Sequence, residues 1–243
     1  MQDNLKVAVL GTGQMGSGIV RLLMGKQGVQ LVGVYGRRAD RSGVDVADAI
    51  GHGTKIGVDV TNDLPGLLSS VRPDVIIQAT CSKVEQAVAE IKTAVQGGAN
   101  VISIAEEMAY PSYEAPRLAE EIHTLALENK VTVVGTGINP GFVLDLLVIC
   151  LTGVCYNVES ITAKRVNDLS PYGPSVLQTQ GVGITPEAFK KGVADGSVVG
   201  HFGFPESISM IAKALGWKID KIEQTREPII SKVNRKTPFV KIK

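Results

Sequence analysis

The sequence predicts an α/β fold made of two domains, one over residues 1–142 and one over residues 143–243. Two observations carry this prediction. An apolar run at 7–10 leads into a glycine-rich turn and then, without a break, into an apolar helical pattern. As far as residue 142, short apolar runs then alternate with amphipathic helical stretches, which is typical of an open parallel sheet covered by helices on both faces.

The glycine-rich turn has the spacing Gly-x-Gly-x-x-Gly and lies between a predicted strand and a predicted helix. Gly11 permits the tight turn, Gly13 lets a pyrophosphate approach the backbone, and Gly16 lets the helix pack closely on the strand. The helix N-terminus adds unpaired N–H groups and a partial positive charge. We therefore predict that residues 1–142 form a Rossmann dinucleotide-binding domain, against the alternative of a turn that binds nothing. The predicted contacts in this turn are Gly11, Thr12, Gly13, Gln14, Met15 and Gly16.

The end of the second predicted strand, Val29–Tyr35, bears on which dinucleotide binds. Rossmann domains often place an Asp or Glu there to hold the ribose 2′-hydroxyl. Here the strand runs into Gly36, Arg37 and Arg38, and no carboxylate occurs before Asp40. Guanidinium groups suit a 2′-phosphate, which they bind in a fork. The sequence thus favours NADP over NAD, and the alternative is two solvated arginines on a loop.

Further strands of the same sheet are predicted where apolar runs recur. They lie at 55–58, 73–79, 100–105 and 130–134, and helices are predicted from Leu64 and at 83–96, 112–129 and 143–151. Ligands bind at the carboxyl ends of parallel strands. Thr80 and Cys81 follow one such strand and are predicted cofactor contacts. Cys81 is predicted to be a wall residue rather than a nucleophile, because no histidine lies near it in sequence.

The pattern changes from about Tyr156, which predicts a second α/β domain. Alternating stretches at 158–166 and 218–227 predict strands, and a Pro- and Gly-rich stretch at 167–183 predicts a long loop. Helices are predicted from Pro186, with Thr185 as the N-cap, and at 208–215 before Gly216. The final residues, 239–243, resemble a strand cut off within a sheet, so a C-terminal part is expected to be missing.

The composition excludes several classes of partner. The 243 residues are 44% hydrophobic and carry a formal net charge of +1, which argues against nucleic acid or an anionic membrane surface as the main partner. Three cysteines without a C-x-x-C pair indicate a reduced, cytoplasmic protein. Three widely separated histidines predict no metal site, and no apolar stretch is long enough to span a bilayer.

Four stretches, taken in this order, resemble a known family: 11–16 (GTGQMG), 104–111 (IAEEMAYP), 135–142 (GTGINPGF) and 200–203 (GHFG). They are similar to the 2,4-diaminopentanoate dehydrogenase family, within the broader group of dihydrodipicolinate-reductase-like oxidoreductases and native amine dehydrogenases. The glycine fingerprint is shared by many enzymes, whereas the second and third stretches are much more specific. The resemblance extends over the whole chain, and members of the family are longer than this chain.

The resemblance implies the NAD(P)-dependent oxidative deamination of (2R,4S)-2,4-diaminopentanoate to 2-amino-4-oxopentanoate and ammonia, in fermentative ornithine breakdown. It also implies a homodimer, with residues 143–243 binding the substrate and the second subunit. By the same resemblance, the residues around the substrate are Glu106 or Glu107, Asn139, Arg165, Asn167 and His201.

The chemistry asks for similar residue types. An amine must lose a proton before hydride leaves its carbon, and a carboxylate is a suitable acceptor. Adjacent side chains on extended backbone point to opposite sides, so only one of Glu106 and Glu107 is expected to face the substrate. Asn139, His201 or a glutamate could orient the hydrolytic water, and Arg165 could hold the substrate carboxylate in a bidentate pair.

Three rival interpretations remain open. One is another dihydrodipicolinate-reductase-like enzyme, although the His-His and Lys pattern of the reductase itself is absent from the sequence. Another is an amine dehydrogenase with a different substrate. The third is a dinucleotide sensor without catalysis, which would lack converging polar residues at the carboxyl edge of the sheet. This chain is predicted to place five such residues there: Thr80, Ser82, Glu106, Glu107 and Asn139.

Overall fold

The computed structural model describes residues 4–236 and 239–242. Its centre is a six-stranded parallel sheet in the order β3-β2-β1-β4-β5-β6. The strands are β1 Leu5–Leu10, β2 Val29–Tyr35, β3 Val60–Thr61, β4 Val75–Gln78, β5 Asn100–Ser103 and β6 Val133–Gly135. The strand order reverses between β1 and β4, and a crevice at such a point, outside the carboxyl ends, is where α/β sheets bind ligands.

The helices cover both faces of the sheet and continue beyond it. They are α1 Gln14–Met24, α2 Val46–Ile50, α3 Leu64–Val71, α4 Val84–Gln96, α5 Pro116–Asn129, α6 Leu146–Thr152, α7 Pro174–Thr179, α8 Pro186–Asp195 and α9 Phe204–Leu215. Short 3-10 turns span Ala39–Arg41 and Glu106–Ala109, and a two-residue strand pair joins β7 Arg235–Lys236 to β8 Lys241–Ile242. None of the helices in the described part of the chain has the length and hydrophobicity that a bilayer crossing requires.

The core lies on both faces of the sheet, as the alternation along β1 shows. Val7 and Val9 pack with residues of α1 and α2, whereas Ala8 and Leu10 pack with residues of α3, α4 and α5. Successive side chains of a strand point to opposite faces, so one strand serves both layers. Burial on both faces is characteristic of a parallel sheet and explains the continuous apolar runs in the sequence.

The α/β fold with its Rossmann-type sheet is confirmed. Some boundaries differ from the predictions: the strand predicted at 55–58 lies at Val60–Thr61, and α5 begins at Pro116 instead of residue 112 because proline takes the first helical position. The helix predicted from residue 143 begins at Leu146, where Asp145 is the N-cap.

Beyond residue 152 the prediction was less accurate. The strands predicted at 158–166 and 218–227 are wrong: in the described structure these stretches are neither helix nor strand, and Val166 is 85% exposed. Alternation shows only that a stretch could form a strand, and the neighbouring strand that would hydrogen-bond to it is a long-range property. The loop predicted at 167–183 contains α7, whose Pro174 lies in the first turn.

Two predictions in this region are confirmed. The Thr185 hydroxyl accepts a hydrogen bond from the Ala188 N–H at the start of α8, and Gly216 ends α9 with a left-handed φ of 69°. The division of the chain into domains at residue 142 stays a prediction. The strand predicted at 239–243 corresponds to β8 at Lys241–Ile242, and residue 243 lies outside the described residues.

Candidate active site

The glycine turn forms a tight cradle between β1 and α1. A Cβ at Gly11 would lie 2.5 Å from the carbonyl oxygen of Ala79, and a Cβ at Gly16 would overlap the carbonyl group of Gly11. Both positions therefore require glycine because backbone passes close by. Gly13 is different: no described atom lies within 4 Å of its would-be Cβ. The space that a side chain would fill there is open, which is what an approaching pyrophosphate requires.

The N-terminus of α1 faces this cradle. Gly13 is the N-cap, no side chain in the described part of the chain caps the helix, and the Ser17 N–H closes the first turn on the Gly13 carbonyl at 2.8 Å. Gln14 and Met15 are exposed, the latter by 62%. Uncapped N–H groups with the helix dipole behind them make an anion site. The residues present thus fit the diphosphate of a dinucleotide.

Three arginines surround the loops after β1 and β2, and each has a partner. Arg37 donates from Nε to Glu90 Oε1 at 2.8 Å. Arg38 forms a two-bond pair with Asp40, at 3.1 and 2.5 Å. The third arginine, Arg41, was not predicted from the sequence. It donates to the Thr12 carbonyl at 2.9 Å and to the Thr12 hydroxyl at 3.2 Å. Three guanidinium groups therefore lie in the region where the adenosine end of a dinucleotide is expected, and two of them are paired with carboxylates.

A buried polar network joins the ends of β4 and β5. The Ser103 hydroxyl donates to Gln78 Oε1 at 2.6 Å, and Gln78 Nε2 donates to the Thr80 hydroxyl at 2.7 Å and to the Cys81 sulfur at 3.2 Å. Gln78 and Ser103 are fully buried. Paired polar groups in a low-dielectric interior fix one arrangement. The network therefore holds the Thr80–Cys81 loop, the predicted cofactor contact, in one conformation.

The two adjacent glutamates occupy different environments. The expectation that they lie on extended backbone is wrong, since Glu106–Ala109 is a 3-10 turn. Glu107 Oε2 accepts the Val84 N–H at 2.8 Å, at the start of α4, where the N-cap residue Lys83 offers no side-chain bond. Glu107 thus serves as the missing helix cap. Glu106 is half-buried and close enough to His201 for its charge to raise the pKa of that imidazole.

His201 is the centre of a polar cluster. Its Nε2 lies 2.5 Å from Asn139 Nδ2. Burial is the main cause that lowers the pKa of His201, and the charge of Arg165 lowers it further, whereas Glu106 and a hydrogen bond to the Asn139 backbone act in the opposite direction. The imidazole is therefore neutral at neutral pH. With the amide assigned as the donor to Nε2, the ring proton lies on Nδ1.

The two loops of this cluster are held together by packing and by Asp145. A Cβ at Gly203, whose φ is 95°, would overlap the ring of Pro140, so the loop that carries His201 lies directly on the loop that carries Asn139. The fully buried Asp145 accepts the Gly141 N–H at 2.7 Å and the Ser207 hydroxyl at 2.8 Å. One carboxylate thereby joins the loop that carries Asn139 to α9, the helix that follows the loop of His201.

Two buried acceptors near the cluster lack a partner among the described residues, namely Asn139 Oδ1 and Glu206 Oε2. Glu206 lies in the first turn of α9, which packs against the Glu106–Ala109 turn. Burial raises its pKa, and the charges of Glu114 and Glu107 raise it further. An unpaired buried acceptor is costly, so Asn139 Oδ1 is a natural place for an additional donor to bind.

The structure unites some predicted substrate residues and not others. Asn139 and His201 are in contact, and the charges of Glu106 and Arg165 both act on His201, although Arg165 is exposed and neither has a described hydrogen bond to the imidazole. Asn167 is exposed and donates to the Tyr172 hydroxyl at 3.4 Å, without a described contact to the cluster. Sequence reasoning did not find the supporting residues Gln78, Glu90, Ser103, Asp145 and Glu206. Only Asp145 gave a local signal, as an N-cap residue type before an apolar helix.

Comparison with known proteins identifies the family. The model of the 2,4-diaminopentanoate dehydrogenase C-terminal domain matches residues 142–243, and that of the dihydrodipicolinate reductase N-terminus matches residues 5–104. The chain is 47% identical, over 98% of its length, to a 2,4-diaminopentanoate dehydrogenase of Acetoanaerobium sticklandii. The chain belongs to the 2,4-diaminopentanoate dehydrogenase family. It is thus an oxidoreductase of the NAD(P)-dependent type, and the resemblance found in the sequence is confirmed.

More distant relatives agree with this family. An amine dehydrogenase of Streptomyces virginiae is 26% identical over 92% of the chain. The structure of an amine dehydrogenase from Mycobacterium smegmatis matches 99% of the chain, and 71% of its own length, with a TM-score of 0.77 and 26% identity. The chain spans 67% and 62% of the two curated dehydrogenases. Its cofactor is a nicotinamide dinucleotide, as indicated by the family and by the glycine cradle between β1 and α1.

Proposed function

We propose that the chain catalyses the NAD(P)-dependent oxidative deamination of 2,4-diaminopentanoate to 2-amino-4-oxopentanoate and ammonia. One observation carries this proposal. In a chain 47% identical to a 2,4-diaminopentanoate dehydrogenase, Glu106, Asn139 and His201 converge at the carboxyl edge of the sheet that also bears the glycine cradle. A carboxylate, a neutral imidazole and an unsatisfied amide oxygen are the groups that amine oxidation followed by hydrolysis needs.

Glu106 is the proposed base. The substrate amine arrives as an ammonium ion, which must lose a proton before its carbon can give up hydride. Glu106 is half-buried and, unlike Glu107, is not engaged as a helix cap, so its carboxylate is available to take that proton. Because His201 is neutral, it does not repel the ammonium ion as an imidazolium would.

A bound nicotinamide ring would supply hydride acceptance, with the hydride leaving from C4 of the substrate. Hydrolysis of the resulting substrate iminium needs an oriented water. Asn139 Oδ1 is a buried acceptor without a described partner, and a water at that position would donate one hydrogen to it. Water adds to C4, the C–N bond breaks, and ammonia leaves. The ammonia takes up one proton to become ammonium, so in total one water is consumed and one further proton is released together with the reduced dinucleotide.

Arg165 is the proposed anchor of the substrate carboxylate. It is exposed, its charge is felt by His201, and its guanidinium can bind a carboxylate through two parallel hydrogen bonds. Asn167, two residues further along the chain, is proposed to support it. An arginine at this position favours amino acids over simple amines as substrates.

We also propose that NADP is used at least as well as NAD, through Arg37 and Arg38, with Thr80 and Cys81 forming the wall of the site.

A homodimer acting in the cytoplasm is proposed as well. The exposed leucines of α6 support the dimer, since apolar side chains of this kind favour burial between subunits. Sedimentation of the purified chain at micromolar concentration tests it, because a single species with the mass of one chain would contradict a dimer.

A substrate panel tests the reaction. The chain is given 2,4-diaminopentanoate, 2-aminopentanoate or 2-aminopentane with either dinucleotide, and reduction of the dinucleotide is followed by absorbance while the products are identified by mass spectrometry. We expect the diamino acid to be oxidised with the highest kcat/KM and to give 2-amino-4-oxopentanoate. A higher kcat/KM for 2-aminopentane would indicate a general amine dehydrogenase. Dinucleotide binding without oxidation of any amine would indicate a sensor.

A further inference from the structure

A buried glutamate on α4 holds the arginine that is expected to contact the ribose. Glu90 is 7% exposed. Its Oε1 accepts from Arg37 Nε at 2.8 Å, and its Oε2 accepts from the Thr80 hydroxyl and, at 3.4 Å, from Gln78 Nε2. The carboxylate therefore has partners on both oxygens and cannot turn away from Arg37.

Arg37 is fixed by the same contacts. Its Nη2 donates to the Thr80 hydroxyl and to the Gln86 carbonyl, each at 3.2 Å. Nε and Nη2 are thus occupied, and the Cys81 side chain also lies close enough to interact with the guanidinium. The side chain is 45% exposed. The protein therefore holds the guanidinium in place, and the exposed part of the side chain remains accessible to a ligand.

The pair of charges has a consequence for the ligand. A 2′-phosphate carries close to two negative charges, so it is attracted by Arg37 and repelled by the carboxylate that lies against the far edge of the same guanidinium. A ribose 2′-hydroxyl is neutral and feels little of either charge. Glu90 therefore opposes the binding of NADP more than that of NAD. It does so from a position 53 residues away in sequence from Arg37, which it contacts.

We propose that Glu90 is a positioning residue that sets the balance between NADP and NAD by compensating the charge of Arg37. In this chain the acidic residue that influences the choice of dinucleotide lies on α4, and not at the end of β2 as is usual in Rossmann domains. The inference rests on the proposed binding of the ribose end of the dinucleotide at Arg37. It predicts that NAD stays competitive because Glu90 lies against Arg37.

Equilibrium titrations with NADPH and NADH, followed by nicotinamide fluorescence, test the inference without any turnover. Glu90→Gln removes the charge and keeps an acceptor for Arg37 Nε, so the Kd for NADPH should fall about three- to tenfold, while that for NADH changes less than about twofold. Glu121→Gln, on α5, is the matched control, because it removes one charge from an exposed pair with Lys92, which lies on the same helix as Glu90. It should leave both constants unchanged.

A double-mutant cycle separates this role from a structural one. In an Arg37→Gln background, Glu90→Gln should still lower the Kd for NADPH, because the repulsion between the carboxylate and the 2′-phosphate does not depend on Arg37, whereas a purely structural role of holding Arg37 would be lost. If Glu90→Gln does not fold, as judged by its melting curve, Glu90→Met also removes the negative charge and has a side chain of similar volume to glutamate. Equal shifts for NADPH and NADH, or the absence of any shift for NADPH in the Arg37→Gln background, would overturn the proposal. Failure of the wild type to bind either dinucleotide would instead contradict the proposed cofactor use.

Discussion

Gly13 offers a direct test of where the dinucleotide diphosphate lies. In the protein a Cβ at this position would meet no described atom within 4 Å, and φ is −77°, which any residue can adopt. The Gly13→Ala substitution should therefore fold normally. An alanine N-cap is weaker than glycine by up to about 1 kcal/mol, equivalent to a fall of roughly 2–4 °C in melting temperature for a chain of this size.

The effect on binding should be much larger. The new methyl group would occupy the open space in front of the α1 N-terminus, where a diphosphate would accept hydrogen bonds from the N–H groups. We expect the Kd for NADPH and for NADH to rise at least about tenfold, a loss of roughly 1.4 kcal/mol. Because the diphosphate is common to both, the two losses should be equal, unlike those at Arg37.

Two substitutions of the same kind serve as comparisons. Gly18→Ala, on the open side of the same helix, should stabilise the fold by about 0.5–1 kcal/mol through helix propensity and leave binding unchanged. Gly11→Ala should destabilise it by about 2 kcal/mol or more, since φ is 122° and the methyl would press on the Ala79 carbonyl. Fluorescence titration and thermal melting measure all three variants. Unchanged affinity in a folded Gly13→Ala protein would refute the location of the diphosphate.

Three further results are expected. Asn139→Ala should lower kcat about tenfold or more without changing dinucleotide affinity, because the hydrolytic water and His201 lose their partner, as steady-state kinetics and titration will show. Arg165→Gln removes a charge that lowers the pKa of His201, so the acidic limb of the kcat/KM profile should move to higher pH, and KM for the substrate should rise. An unmoved limb would show that Arg165 does not act on His201. Glu206 has a raised pKa in the folded state, so its contribution to stability is present at low pH and is lost as the pH rises through that value. Glu206→Gln should accordingly raise the melting temperature relative to wild type near pH 8 and match it near about pH 4.

The sheet could be predicted from the sequence because its signals are local. Strand β1, the glycine turn and α1 follow one another without a gap, and the central residues of strands β4 and β5 are apolar. The same method failed beyond residue 152. There the alternating stretch at 158–166 has no neighbouring strand in the described structure, and alternation by itself does not supply one.

The site was predictable only in its residue types. Glu106 and Glu107 were both candidates, but their assignment depends on a 3-10 turn and on the Val84 N–H, 23 residues away from Glu107. Glu90 gave no signal, because its role depends on contact with Arg37 across 53 residues. A helix position occupied by glutamate usually indicates a solvated face. Long-range contacts decide which of several suitable side chains act, and a single sequence does not contain them.

The distinction between the two adjacent glutamates is the most direct test of the proposed mechanism. Glu106→Gln and Glu107→Gln are the same chemical change on neighbouring residues, measured as kcat with 2,4-diaminopentanoate and as dinucleotide Kd. Glu106→Gln should lose about 10²–10⁴-fold in kcat with an unchanged Kd, because the base is gone. Glu107→Gln should stay within about threefold of wild type, because a glutamine oxygen still accepts the Val84 N–H. A small loss in Glu106→Gln, or a larger one in Glu107→Gln, would contradict the assignment of Glu106 as the base.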